Sequence, residues 1–410
     1  MEELERELEQ EELNKKKFIK GVLCGALAMF VAMAVIGFAG YKLIGHSRGT
    51  DANAEILGTA TEDKLGQIRE LLDKYYLYDI DDDELQTGIY EGFVSGVDDP
   101  YTVYYDEEAT KDLLESSSGE FYGIGVGISL DTSTGYLTVL QVYEGSPAEE
   151  AGLEVGDVIY KVDDREIDGE DLSEVVSWIR GEEGSQVRLG IYRGEDAKEM
   201  EFTATRAKIE MHTVEHEMKE NQIGYIRVTE FDTVTYDQFK TALTDLQDQG
   251  MKGLVIDLRS NPGGNVATVC DMMRLLLPKG VMVYTEDKDG NRTDYTNDSD
   301  SGFDLPLTVL VDGYSASASE IFTGAIQDYG IGQVVGTTTY GKGVVQQLLD
   351  LKDGTYLKVT ISEYFTPNGR SINKKGIDPD VEIEYEVNEE DENADNQLDK
   401  ALEIVQGELQ

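Results

Sequence analysis

The chain has 410 residues, enough for two or three folded units that each bury their own core. It carries 35 basic against 83 acidic residues, a formal charge of −48, which excludes the basic patch that nucleic-acid binding needs. Its two cysteines, Cys24 and Cys270, lie in unrelated parts of the chain, so no disulfide framework exists.

Residues 21–41, GVLCGALAMFVAMAVIGFAGY, are 21 positions without a charge. At 1.5 Å per residue such a run spans a bilayer core of about 30 Å. Lys15, Lys16, Lys17 and Lys20 precede it, whereas only Lys42 and Arg48 follow closely. That excess predicts an N-terminus inside and a C-terminus outside. No small-residue cleavage site follows, which favours an uncleaved anchor over a signal peptide. The expected order is a cytoplasmic tail (1–20), a transmembrane anchor (21–41) and a polar linker (42–60). The remainder would stand on the extracytoplasmic side of the cytoplasmic membrane.

Residues 61–77 place Leu65, Ile68, Leu71 and Leu72 at helical spacing. A second short helix is expected at 83–96, then a Pro-containing turn, DDPYTVYYDEE, to complete a helical segment over 61–118. Short alternating runs such as YLTVLQVY, VRLGIYRG and EMEFTATR then predict a small, mostly β domain over 119–208, with one helix near 170–180. From 209 to 388 strands alternate with helices, which indicates an α/β domain. Its strands are expected at 222–231, 252–260 and 305–313. Its helices are expected around Phe239, Leu243 and Leu246, at 266–278 and at 320–330. Residues 284–304 are polar and read as a surface loop or hairpin. An acidic spacer and a helix bearing Leu398, Leu402 and Val405 fill 389–410. The apolar stripes at either end could pair two copies as a homodimer, although such stripes more often pack within their own chain.

Within the β domain, YGIGVGI (122–128) brings Gly123, Gly125 and Gly127 to the start of a strand, where glycines let backbone N–H groups turn toward a ligand. In GSPAEEAGLEVGD (145–157), Pro147 starts a short helix, Gly152 ends it, and Gly156–Asp157 turns into a strand. Together these stretches resemble a PDZ domain. The resemblance implies that a peptide's C-terminal end adds as a strand, its carboxylate held by the N–H groups of Gly123, Ile124, Gly125 and Val126.

The stretch DGYSASASE (312–320) lies between an apolar strand and a helix. A serine hydroxyl is a weak nucleophile and needs an adjacent base. Ser317 would stand at the turn, with the helix N–H groups facing developing negative charge. Ser315 would sit nearer the strand, and Ser319 in the first helical turn, where capping is the ordinary role. None of the three histidines, His46, His212 and His216, has neighbours that suggest burial beside a serine. Lys342, flanked by glycines and valines in TYGKGVVQ, is the other candidate base, provided burial lowers its ordinary pKa of about 10.4. Gln346 could orient it. Acyl transfer also needs two oxyanion donors, for which the N–H groups of Gly263, in LRSNPGGN, and Ala318 are candidates. Taken singly, each stretch also reads as a turn or a cap.

Their conjunction says more. DDPYTVYY, the PDZ-like segment, DLRSNPGG, SASASE, TYGKGVVQ, YFTPNGRSI and KGIDPDVEI follow in this order. Over residues 60–410 the chain resembles the C-terminal processing peptidases, the tail-specific serine proteases of bacteria and chloroplasts. The resemblance implies a crotonase-like α/β protease core with a PDZ domain inserted ahead of it. It implies Ser317 as nucleophile, Lys342 as base, Gln346 completing the set, and Gly263 and Ala318 as oxyanion donors. No cofactor or metal is expected, and the partners would be loosely folded proteins with free C-termini. Cleavage of a signalling protein and general tail processing both fit. The competing expectation is a membrane-anchored PDZ scaffold without activity.

Overall fold

The computed structural model describes residues 56–409, apart from 131–134, 144, 168–171, 195, 300–301, 389–390 and 392–393. The expected anchor at 21–41 lies outside the described residues. Among those residues no helix is long and apolar enough to cross a membrane. The chain divides into two units, Met1–Leu85 and Gln86–Gln410.

In the first unit, helix α1 (Thr59–Tyr75) carries the expected stripe, with Leu65, Ile68 and Leu71 exposed. Arg69 bonds Asp73, one turn on, at 2.8 Å. Helix α2 (Asp82–Ser95) contains the boundary between the units, and the second unit continues with strand β1 (Val103–Tyr105) and helix α3 (Glu107–Ser118). Asp106 caps α3 by accepting the Ala109 N–H at 2.8 Å, and Gly119 ends it with φ 71°.

The mostly β region holds β2 (Glu120–Gly123), β3 (Val126–Leu130), β4 (Leu137–Val142), α4 (Pro147–Ala151), β5 (Val158–Val162), β6 (Arg165–Glu166), α5 (Leu172–Ile179), β7 (Gln186–Arg193), β8 (Lys198–Thr205) and β9 (Ala207–Glu210). Its antiparallel sheet runs β3-β4-β5-β7-β8, with β6 beside β5. Alternate residues of β7, Val187, Leu189 and Ile191, point into a core closed by Val175 and Ile179 of α5. Strands β2 and β9 pair with each other, so this region enters and leaves at one place.

The α/β region continues with β10 (Val214–Lys219), β11 (Ile223–Val228), α6 (Thr235–Asp248), β12 (Gly253–Asp257), α7 (Val266–Arg274), β13 (Gly280–Asp287), β14 (Arg292–Asn297), β15 (Leu307–Val311), α8 (Ala318–Tyr329), β16 (Gln333–Gly336), β17 (Val344–Asp350), β18 (Tyr356–Phe365), β19 (Val381–Glu382) and α9 (Asn396–Glu408). The main sheet is ordered β10-β11-β12-β15-β16-β19, parallel from β11 onward. Both faces are covered, which is why its strands read as unbroken apolar runs. Leu254 and Ile256 of β12 face the core shared with Phe239, Val269 and Phe322 of α6, α7 and α8. Val255 faces the other way, against Ala401 and Val405 of α9. The C-terminal apolar stripe therefore packs within the chain, and Arg259 anchors it by bonding the α9 cap residue Asp395 at 2.7 Å.

A second sheet is ordered β1-β18-β13-β14, with β17 on β18. It corrects one expectation. Val103 pairs with Lys358 across the sheet, so the strand that precedes the PDZ-like region already belongs to the α/β layer. The β region is inserted within that layer, not ahead of it. The polar stretch at 284–304 turns out to hold the β13–β14 hairpin, whose turn is tied by Asp287 accepting the N–H groups of Asp289 and Asn291 at 2.9 Å.

Candidate active site

Strand β15 ends at Val311, and after six intervening residues the chain enters α8. The last residue before the helix has unusual backbone geometry. Ser317 occupies that place with φ 54° and ψ −111°, a conformation that costs a non-glycine residue on the order of 1–3 kcal/mol. Its surroundings hold it there. The Ser317 N–H donates to Glu320 Oε2 at 2.8 Å, the reach-back that a glutamate three residues past a cap makes. Only 8% of Ser317 is exposed, whereas Tyr314 on the same turn is open to solvent.

Glu320 is fully buried, and its carboxylate does more than cap. Oε2 also accepts the Lys342 N–H at 2.8 Å. Oε1 accepts the Gly341 N–H and the Thr339 hydroxyl, each at 2.6 Å. One carboxylate thus joins the backbone of Ser317 to the backbone of the loop that carries Lys342. Burial pushes the Glu320 pKa up, and the four donors pull against it.

Lys342 is half-buried. Desolvation, then the positive charge of Lys358, lowers its pKa, while Glu320 acts the other way. Its Nζ stands 4.8 Å from the centre of the Tyr101 ring. No hydrogen bond joins Nζ to Ser317 Oγ in this arrangement, nor to Gln346. The Gln346 amide instead lies on β17 and donates to the Val344 carbonyl at 3.3 Å and to Thr360 Oγ1 at 3.4 Å.

The NPGG turn lies directly against the serine. A Cβ on Gly263, where φ is 106°, would come within 2.8 Å of Ser317 Cβ and 2.7 Å of the Ala316 carbonyl. The Gly263 N–H donates to Asn261 Oδ1 at 2.8 Å. The Ala318 N–H, first in its helix, has no acceptor among the described residues, as expected for a helix start. The two neighbouring serines tie these loops together. Ser315 Oγ donates to the Leu258 carbonyl at 2.8 Å and Ser319 Oγ to the Asn261 carbonyl at 2.9 Å. Ser319 is therefore a brace between loops, where its sequence position suggested a helix cap.

In the β region, the carbonyls of Ile124 and Gly125 accept the N–H groups of Ala148 and Tyr143 at 2.8 and 3.0 Å. A trans peptide plane then turns the N–H groups of Gly125 and Val126 the opposite way. Val126 faces Val142 as a non-hydrogen-bonded pair, so its own polar groups point to the open edge of β3. Gly123 is drawn into pairing with Ala207 on the far side of the turn.

Three comparisons bear on this site. The profile of peptidase family S41 matches residues 222–383, that of the PDZ domain residues 138–193, and that of the N-terminal domain of the activating protease CtpB residues 22–109. A "Probable CtpA-like serine protease" of Staphylococcus aureus is 34% identical over 91% of this chain and 73% of its own length. The carboxy-terminal processing protease CtpB of Bacillus subtilis is 35% identical over 78% of this chain and 67% of its own length. The chain belongs to the carboxy-terminal processing serine proteases. A photosystem II D1 C-terminal processing protease of known structure superposes with a TM-score of 0.47 at 31% identity, over 78% of this chain and 86% of that one.

Membership in this family makes the chain a serine peptidase with a PDZ domain and sets aside the inactive scaffold. Two groups that the sequence reading passed over stand beside Ser317 and Lys342. Glu320 was legible in principle, because Ser-x-x-Glu at a helix start is a capping signal. Tyr101 was not, since nothing local in DDPYT points to a lysine 241 residues later.

Proposed function

We propose that this protein is a membrane-anchored endopeptidase that works through a Ser317–Lys342 dyad on a crotonase-like core, and that it takes extracytoplasmic proteins by their C-terminal ends. The observation that carries the reading is the Glu320 carboxylate, one oxygen of which receives the N–H groups of both Ser317 and Lys342. Nucleophile and base are thereby the two ends of one buried clamp.

In the proposed cycle, neutral Lys342 takes the proton of Ser317 Oγ as that oxygen bonds to the scissile carbonyl carbon. The oxyanion is received by the Ala318 N–H and by the Gly263 N–H, which exchanges its bond to Asn261 for the stronger bond to a charged oxygen. Protonated Lys342 then gives its proton to the departing amine, and water releases the acyl group by the reverse route. Catalytic hydrogen bonds often tighten only when substrate is bound, so the present seat of Lys342 over Tyr101 is compatible with this role. Gln346, whose amide donates to Thr360 Oγ1 on the neighbouring strand, would orient the lysine when it swings toward Ser317.

The open edge of β3 and the outward N–H groups of Gly125 and Val126 support capture of a peptide end, with Gly123 and Ile124 shaping the turn. The uncharged run at 21–41 supports the anchor and the outward placement. The test uses the full chain in detergent with an unfolded protein as substrate. Ser317→Ala and Lys342→Ala should each abolish cleavage. Ser315→Ala and Ser319→Ala, which lose bonds to the Leu258 and Asn261 carbonyls and, at Ser315, the bond accepted from the Asp312 N–H, should keep it. Cleavage by either of the first two variants would overturn the dyad.

A further inference from the structure

Beside the base stands a second cation that the proposed cycle does not use. Lys358 lies on β18, opposite Val103 of β1 and two residues from Thr360, which pairs with Gln346. Alternation along the strand puts Lys358, Thr360 and the Gln346 side chain on one face of the sheet. The Lys358 ammonium is fixed there, donating to Tyr105 Oη at 2.7 Å and standing 5.1 Å from that ring. Lys342 Nζ is held over Tyr101, four residues earlier on the same segment. The charged and titratable groups around Lys342 are Glu320 from α8, Tyr340 from the loop before β17, Asp99 and Tyr101 from the turn before β1, and Lys358 from β18.

We propose that Lys358 is a positioning residue for the reaction: held by the Tyr105 hydroxyl, its ammonium keeps Lys342 in the neutral form that can accept the proton of Ser317. The proposal rests on the assignment of Lys342 as the base. Its physical content is a balance of charge. The four donors favour the ionised form of Glu320 against the desolvation that opposes it, and a buried carboxylate beside a lysine favours the charged lysine. Burial alone opposes that attraction, and a like charge opposes it further. Lys358 supplies the like charge, the second largest influence on Lys342 after desolvation. The identity of its partner matters. A carboxylate on Lys358 would cancel its field, whereas the Tyr105 phenol holds the ammonium and leaves the charge in place. The segment DDPYTVYY thereby acquires a use: Tyr101 seats one lysine, Tyr105 the other, and the strand between them sets their spacing.

The sign of the effect is definite. Lys342 must lose its proton to act, so the rate rises with pH through its titration. Removing the Lys358 charge favours protonated Lys342 and moves that limb to higher pH. The experiment measures kcat/KM of the full chain on an unfolded protein from pH 6 to 10, which reports groups on the free enzyme. Lys358→Met should move the limb upward by on the order of one pH unit and regain the parental rate at high pH, the effect of one nearby like charge. Lys358→Arg should leave the limb in place. Tyr105→Phe, which frees the ammonium without removing it, should move the limb upward by less. If Lys358→Met is folded and its limb stays at the parental pH, or if its lost rate returns at no pH, the proposal is wrong. Should Lys358→Met fail to fold, an unmoved limb in Tyr105→Phe decides against it equally. Lys342→Ala in the same series separates the two readings. Retained cleavage there overturns the dyad itself, whereas an inactive Lys342→Ala beside an unmoved Lys358→Met limb overturns only the role of Lys358.

Discussion

Glu320→Gln is the most searching substitution at this site, because it changes one atom and leaves the volume alone. The carboxylate receives four donors, two at each oxygen, at 2.6 to 2.8 Å. A glutamine keeps one oxygen. With its NH2 toward Ser317 and Lys342, two buried N–H groups face a donor. With its NH2 toward Thr339, the hydroxyl could accept it beside the Ile377 N–H that it already receives at 2.7 Å, but the Gly341 N–H is orphaned. Each bond lost to a charged acceptor costs about 1.5–3 kcal/mol, as does stranding a buried donor. Relief of the desolvated charge returns part of this, leaving a destabilisation of about 2–4 kcal/mol. The same change frees Ser317 from the clamp that holds its strained backbone, so kcat should fall on the order of 100-fold or more. Denaturant unfolding at pH 7 reads the first quantity and single-turnover cleavage the second. A variant within about 0.5 kcal/mol of the parent that also cleaves at the parental rate would show that the clamp neither stabilises the fold nor places the nucleophile.

Two other substitutions follow from the same region. Asp232 is buried with Oδ2 lacking any partner, and desolvation together with Glu230 raises its pKa from 3.8 to about 7. The folded protein therefore holds a proton there that the unfolded chain has lost, and the contribution of Asp232 to stability declines as pH rises from about 4 through about 7. Unfolding midpoints of Asp232→Asn and the parent should diverge in favour of the variant over that interval, by on the order of 2–3 kcal/mol at pH 8, and a constant difference would refute the buried-charge account. Gly263→Ala adds a methyl at φ 106° that would meet the Ala316 carbonyl and Ser317 Cβ inside 3 Å. Loss of cleavage with a stability cost of about 2–3 kcal/mol is expected, and an active variant would mean that the turn can move away from the serine.

The site was legible to the extent that its residues announce themselves in short local patterns. A strand, a small-residue turn and a helix marked Ser317 as a candidate, and the glycine-flanked Lys342 was visible as the uncommon lysine in apolar surroundings. What joins them was not visible, because hydrogen bonding depends on direction and a sequence carries none. Glu320 stands in the same short stretch as Ser317, yet only the return of the 339–342 loop reveals it as a shared acceptor. The Gly263 N–H was expected as a free donor, but it is turned onto Asn261, a choice made by a side chain two residues away. The polar stretch at 284–304 left loop and hairpin open, since β14 is exposed at four of its six positions and so carries no apolar alternation to mark it as a strand.

By itself, the sequence determined which segments are apolar on one face and which on two, and so the alternation of strands and helices, the existence of a separate β region and the charge-free run near the N-terminus. Those properties depend on neighbours within a few residues, whose side chains share a face whatever the chain does elsewhere. The tertiary structure alone decided the pairings across long separations: β1 with β18, Tyr101 with Lys342, and Arg259 with Asp395. Each of these closes a loop of more than a hundred residues, an entropic cost that only the assembled core can offset, and no local pattern records which distant partner will meet it.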